Sequence, residues 1–259
     1  MTTEPTGDPP DDQPLHLIAH LTELRNRLLR AIAATLAVFL GLVYFANDIY
    51  AFVSAPLREL LPEGSTMIAT EVASPFLAPF KLTMVMSLFV AMPYILHQAW
   101  SFVAPALYRR EKMLALPILL TSIALFYAGM AFAYYVVFPL IFAFFSSVGP
   151  QGVTIMTDIS SYLDFITTIV LAFGLAFEVP IATVLLVWTG LTTTEKLGKA
   201  RPYVFLMAFV VGMLLTPPDI ISQTLLAVPV YLLYEAGIIM ARIFARKPEE
   251  VEVIETEGA

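Results

Sequence analysis

The sequence has no cysteine, so disulfides, thiolate metal sites and thiol nucleophiles are excluded. It has only three histidines and few charges: 14% of its 259 residues are Asp, Glu, Lys or Arg, against about 25% in an ordinary soluble domain. Its first 14 residues hold neither a basic start nor an apolar stretch, so no cleaved signal peptide is expected and the first span acts as the insertion signal. No nucleotide loop is present. Gly198-Lys199 is the nearest approach, but Thr193 stands where the earlier glycine belongs and Ala200 replaces the Ser or Thr. No Ser/His/Asp set and no zinc-protease motif occurs. His16 and His20, four residues apart, could approach a metal with Glu23 but lack a further ligand, and no cofactor is expected.

What is abundant is apolar sequence. Hydrophobic residues make up 59% of the chain and gather into runs long enough to cross a bilayer, where about 18 or more are needed. The formal charge of −7 belongs to two tails. Glu4, Asp8, Asp11, Asp12 and Glu249, Glu250, Glu252, Glu255, Glu257 account for all of it, and without them the body carries +2. Residues 1–14 and 246–259 therefore read as disordered acidic tails, and 15–245 as one membrane domain.

Leu17, Leu21, Leu24 and Leu28 recur on one helical face and predict a surface-lying lead-in over 15–28. Six apolar segments follow, near 29–46, 75–104, 113–145, 161–189, 203–216 and 220–241. In hydrocarbon they can only be helices, because each must satisfy its own backbone. The fold class is thus an all-α integral membrane protein with six transmembrane helices. Even numbering puts both termini on one side. That side collects twelve of the fourteen Lys and Arg residues, leaving only Arg58 and Lys81 on or near the other. The positive-inside rule then makes both termini cytoplasmic. Trp100 and Trp188 fall near cytoplasmic ends, where interfacial aromatics belong.

Several irregularities stand out. Residues 47–74 are too apolar for a plain linker and predict a short helical cap at the outer interface, bent or started at Pro56. The third segment exceeds the hydrocarbon thickness, with Pro117 and Pro139 as expected bend points. Tyr203–Leu215 gives only about 20 Å of helix at ~1.5 Å per residue, and the turn Thr216-Pro217-Pro218-Asp219 joins it to a sixth span already interrupted by Gln223. The pair is expected to thin the bilayer locally, with a re-entrant hairpin as the alternative.

The candidate chemistry is sparse. Glu178 lies mid-span in Phe177-Glu178-Val179-Pro180, where an ionised side chain costs ~2.5–3.5 kcal/mol on insertion scales. It either faces a wet cavity, helped by the carbonyl that Pro180 frees, or hydrogen-bonds a neighbouring helix. Gln223 can tie a helix pair together, and Glu235 can reach the interface. Glu23 can pair with Arg27 four residues on, and Glu111 in Arg109-Arg110-Glu111-Lys112 can balance loop charge. Both acids nevertheless lie on one membrane face, where two carboxylates suit a dibasic peptide. Ala33, Ala37 and Gly41 form a small-residue stripe that permits close helix contact.

Five stretches together resemble the TatC family, the core receptor of the twin-arginine protein translocase. They are His20-Leu21-Thr22-Glu23-Leu24-Arg25-Asn26-Arg27, Ser54-Ala55-Pro56-Leu57, Phe102 through Ala104-Pro105-Ala106-Leu107-Tyr108 to Glu111, Phe177-Glu178-Val179-Pro180, and Leu215-Thr216-Pro217-Pro218-Asp219. The resemblance implies a glove-shaped, concave six-helix bundle in the bacterial inner membrane with both termini cytoplasmic. It implies that Glu23, Phe102 and Glu111 bind twin-arginine signal peptides of folded precursors, that Glu178 faces the concave side, and that Pro56 shapes the outer loop. It further implies that Met213, Thr216 and Gln223 dock the single-span subunits TatB and TatA, with Asp219 in the turn beside them. Self-association, drive by the proton motive force, and no role for nucleic acid or enzymatic turnover complete the expectation. The competing class is a proton-coupled secondary transporter with Glu178 as carrier.

Overall fold

The computed structural model describes residues 13–60, 68–103, 115–148, 158–215 and 220–244. Among these, every regular element is helical, and six stretches are long and apolar enough to cross a membrane. The tails lie outside the described residues, except that Gln13 and Pro14 already belong to the first helix.

Helix α1 (Gln13–Leu42) passes through a single 3-10 turn, Val43–Phe45, into α2 (Ala46–Leu60). The expected lead-in, first span and outer cap are therefore one nearly unbroken helical run. No residue from Leu42 to Ala46 leaves the right-handed helical region at the caps of that turn, so the chain tightens there without breaking. Pro56 falls inside α2. Helix α3 (Ser74–Val103) is the support for both: α1 and α2 each pack on it.

The third span is α4 (Ala115–Phe132), a π-helical turn over Ala133–Val137, and α5 (Phe138–Val148). Of the two expected bend points only Pro139 marks an irregularity, directly after the π turn. Pro117 sits in the first turn of α4, where no intrahelical N–H partner is needed, so it bends nothing. The fourth span divides into α6 (Ile159–Ala176) and α7 (Val179–Trp188). Pro180 lies in the first turn of α7, and its missing N–H leaves the Ala176 carbonyl without the usual helical donor.

Helix α8 (Thr194–Leu215) has 22 residues and α9 (Ile220–Phe244) has 25. Both are long and apolar enough to cross a membrane. The fifth span is short in uncharged length rather than in helical length. Its first two turns carry Lys196, Lys199 and Arg201, and the helix runs through them.

Small residues set the helix crossings, as expected where lipid gives apolar side chains no incentive to choose protein over tails. The α4–α6 crossing brings Gly129 against the Phe173 carbonyl and Gly174 against the Phe126 ring; a β-carbon on either would lie 2.5 and 2.7 Å from those atoms. Phe126, Phe173, Ile169 and Leu82 fill the core beside it. In the α7–α9 crossing Gly237 rests on Thr183 and Pro180. At the end of the bundle away from the chain termini, a polar clasp joins α3 to α6. Ile159 N–H donates to the Ile68 carbonyl at 2.9 Å. Asp158 caps α6 by accepting from Ser161 N–H at 2.9 Å, and also accepts from Thr70 N–H and Oγ1 at 3.0 and 2.8 Å. Lys81 pairs with Asp164 at 2.5 Å.

Two outcomes follow from this packing. Gly237→Ala places a methyl against Thr183 Oγ1 and 2.9 Å from Pro180 Cα. It should destabilise the detergent-solubilised protein by about 1–3 kcal/mol, whereas Gly41→Ala, with open space around it, should be neutral or slightly stabilising; equal melting of the two variants would refute the crossing. The Ser161 and Thr70 donors hold the Asp158 carboxyl well below the usual carboxylate range. A depressed folded-state pKa means the stabilisation is complete above the ordinary value of ~3.9 and drains away as the pH falls below it. Melting temperature followed from pH 7 to pH 3 should therefore drop at the acid end less steeply in Asp158→Asn than in the wild type. Parallel curves would remove the clasp's role.

Candidate functional site

The described structure places the sequence-selected residues in three groups rather than one. The first is at the start of α1. Glu23 and Arg27 stand four residues apart on one helical face. Arg27 Nε and Nη2 both donate to Glu23 Oε1, at 2.9 and 2.6 Å. The plain i,i+4 ion pair read from the sequence is thus present. Phe102 is half-buried in the last turn of α3, the helix on which α1 packs. Glu111 lies outside the described residues, so the structure leaves the expected pairing of Glu23 with Glu111 open.

The second group surrounds the break in the fourth span. Phe177 caps the end of α6, and Glu178, the next residue, is the N-cap of α7. The helical ladder yields there: Glu178 N–H donates to the Leu175 carbonyl at 3.1 Å, three residues back, and the Glu178 carbonyl accepts from Ala182 N–H at 2.9 Å to start α7. The side chain reaches α4, where Ser122 Oγ, fully buried, donates to Glu178 Oε2 at 2.5 Å. Glu178 Oε1 is buried and has no hydrogen-bond partner among the described residues. One oxygen therefore bonds a neighbouring helix and the other is buried with unmet acceptor capacity.

The third group ties α8 to α9. Gln223 Nε2 donates to the Phe209 carbonyl at 2.7 Å, and its Cγ lies over Gly212, where a β-carbon would stand 3.3 Å away. The interhelical bond expected of Gln223 is thus made, at a spot where a glycine lets the backbones close. Met213, one residue on, is half exposed. Thr216 and Asp219 fall outside the described residues, as does the side chain of Pro56. An apolar groove of about 490 Å³ runs along this side between α6 and α8, walled by Leu171, Leu175, Met207, Val211, Leu215 and Val230.

Two partnerships escaped the sequence reading. Ser122 is one hydroxyl in an apolar span 56 residues from Glu178, and nothing local marks it. Arg201 Nη2 donates to Glu235 Oε2 at 2.8 Å, and Tyr231 Oη donates to Glu235 Oε1 at 2.9 Å. Glu235 is therefore balanced by the fifth span rather than by the interface. Its signal was in the sequence: an acid in one apolar helix and a base in the one before it, at matching depths. Among the described residues no cluster of His, Asp and Glu could hold a metal ion.

Comparison with known proteins agrees with this arrangement. The family model described as Sec-independent protein translocase protein (TatC) matches residues 19–229. The Sec-independent protein translocase protein TatC of Azotobacter chroococcum mcd 1 is 62% identical over 243 residues, covering 93% of this chain and 95% of its own. Its namesake in Escherichia coli K12 is 59% identical over 237 residues, covering 92% of this chain and 91% of its own. Among solved structures, the crystal structure of a twin-arginine translocase receptor TatC superposes with a TM-score of 0.80 at 37% identity, over 88% of this chain and all of that one. A family model spanning most of the chain, relatives this similar over nearly full length and a shared fold leave one conclusion: this six-span membrane protein belongs to the TatC family of Sec-independent protein translocase proteins.

Proposed function

We propose that this chain is the receptor subunit of a twin-arginine translocase, sits in a bacterial inner membrane with both termini cytoplasmic, and binds the twin-arginine signal peptides of folded precursors through Glu23 and Glu111. The observation that carries this reading is the state of Glu23. It is an anion at the basic end of the first span, with one oxygen committed to Arg27 and the other without a partner among the described residues. A guanidinium approaching such a carboxylate forms charge-assisted hydrogen bonds worth ~1.5–3 kcal/mol each. Two acids, one for each arginine, give selective yet reversible capture. Phe102, half-buried on the helix that supports α1, offers an apolar surface for the signal peptide.

Once docked, the apolar part of the signal follows the bundle inward. Glu178 keeps that interior polar at the break between α6 and α7, since its Oε1 has no protein partner among the described residues. TatB and TatA dock along α8 and α9, near Met213, Thr216 and Gln223, where the uncharged length is short and an apolar groove is open. Copies of the complex associate in the bilayer, and the proton motive force drives transport, consistent with the absence of a nucleotide loop in the sequence.

Photo-crosslinking to a twin-arginine precursor tests the grip. Glu23→Gln combined with Glu111→Gln should reduce precursor crosslinking at least roughly tenfold, the loss of about 1.4 kcal/mol or more. Crosslinkers at Met213 and Gln223 should still capture the single-span subunits in that variant. Undiminished precursor capture rejects the grip, and failure to capture the subunits in any variant rejects the docking surface. Glu178→Ala should leave surface capture intact and reduce deep insertion of the signal, read as loss of crosslinks from the signal's apolar segment to α6 and α8. Normal insertion rejects the role given to Glu178.

A further inference from the structure

We propose that Arg27 is a positioning residue that makes the Glu23 site select guanidinium over ammonium. The inference rests on the docking role of Glu23 given above and goes beyond it, because it assigns the selectivity to a residue that need not touch the peptide.

The geometry is specific. An arginine side-on to a carboxylate usually spends its two donors on two oxygens. Here Nε and Nη2 both converge on Oε1, at 2.9 and 2.6 Å. Oε2 keeps both lone pairs and has no partner among the described residues. The two members are also unequally placed: the Arg27 side chain is 21% exposed and that of Glu23 is 40% exposed. The two residues continue the inward stripe of α1, with Ala31, Ala34, Thr35 and Val38, while Leu24, Arg25, Asn26, Leu28 and Arg30 around them are exposed. The cation is thus sunk toward the body and the anion looks outward with one oxygen clamped.

Two consequences follow. First, the carboxylate cannot rotate freely, so Oε2 presents its lone pairs in a fixed direction. A guanidinium edge can satisfy both of those lone pairs with two N–H groups, repeating the arrangement that Arg27 makes on Oε1. An ammonium is a point charge that delivers its donors from one atom and gains nothing from the fixed orientation. Second, Arg27 cancels the site's net charge. Nondirectional attraction for any cation is thereby weakened, and binding comes to depend on directed hydrogen bonds. Both effects favour arginine over lysine, and the first needs the fork of Arg27 and not merely its charge.

The test uses the full-length protein in nanodiscs and two fluorescent peptides that differ only in carrying an Arg-Arg or a Lys-Lys pair, with dissociation constants measured by anisotropy. The wild type should prefer the arginine peptide by roughly tenfold or more. Arg27→Gln should weaken the arginine peptide several-fold, leave the lysine peptide equal or tighter, and bring the ratio near one. Arg27→Lys, which restores charge without the fork, should also lose the preference. A preserved ratio in both variants overturns the proposal, and so does tighter arginine binding in Arg27→Gln with the ratio intact, which would make Arg27 a competitor for the site. Glu23→Gln separates the two levels. Unchanged binding there defeats the docking role itself, whereas lost binding in Glu23→Gln with an unaltered ratio in both Arg27 variants defeats only the role of Arg27.

Discussion

Polar groups in hydrocarbon find no water, so a chain this apolar can afford only those whose partners it supplies itself. That constraint organises the molecule. Glu178 reaches across to Ser122, Gln223 to the Phe209 carbonyl, and Glu235 to Arg201 and Tyr231. All of these bonds except Tyr231–Glu235, which lies within α9, join one span to another, so the pairs that satisfy polar atoms also fix which helices are neighbours. Glycines then decide how near those neighbours come, at Gly129, Gly174, Gly212 and Gly237. Two exceptions are informative against this background: Glu178 Oε1 and Glu23 Oε2 keep acceptor capacity that the described residues leave unused, one inside the bundle and one at its basic end.

Much of the fold was legible because membrane insertion writes it into composition. The six spans, their helical nature and the apolar cap after the first one all followed from long apolar runs. Their ends were less legible. The first span, lead-in and cap merge, because no proline or glycine interrupts Val43–Phe45 and a 3-10 turn suffices. The fifth helix extends back through Lys196 to Thr194, since long basic side chains can reach the interface while their backbone stays helical. The break in the fourth span was signalled by Pro180, but its placement at Glu178 was visible only once α6 and α7 separated.

The candidate site divides the same way. Glu178 and Gln223 could be picked out as charged or polar residues in improbable places, and Glu23 through its pairing with Arg27 and the family resemblance; their partners at i,i+4 or on an adjoining helix could be guessed. Ser122 could not, because a serine in an apolar span is common and its partner lies 56 residues away. The one-oxygen mode of the Glu23–Arg27 pair was equally hidden: spacing states that two residues can meet, not which atoms do. That atomic detail changes the meaning of the pair. A fully bidentate bridge would close the carboxylate, whereas this one leaves half of it open.

Under the proposed function the protein therefore works as a weak, directional grip on a membrane-embedded frame, with capture at the surface and a polar break in the fourth span below it. The most direct measurement is the structure of this receptor with a twin-arginine peptide bound. The proposed grip predicts one peptide guanidinium on Glu23 Oε2 while Arg27 remains on Oε1, and the second guanidinium on Glu111. Peptide arginines resting elsewhere, with the Glu23 carboxylate untouched, would contradict it.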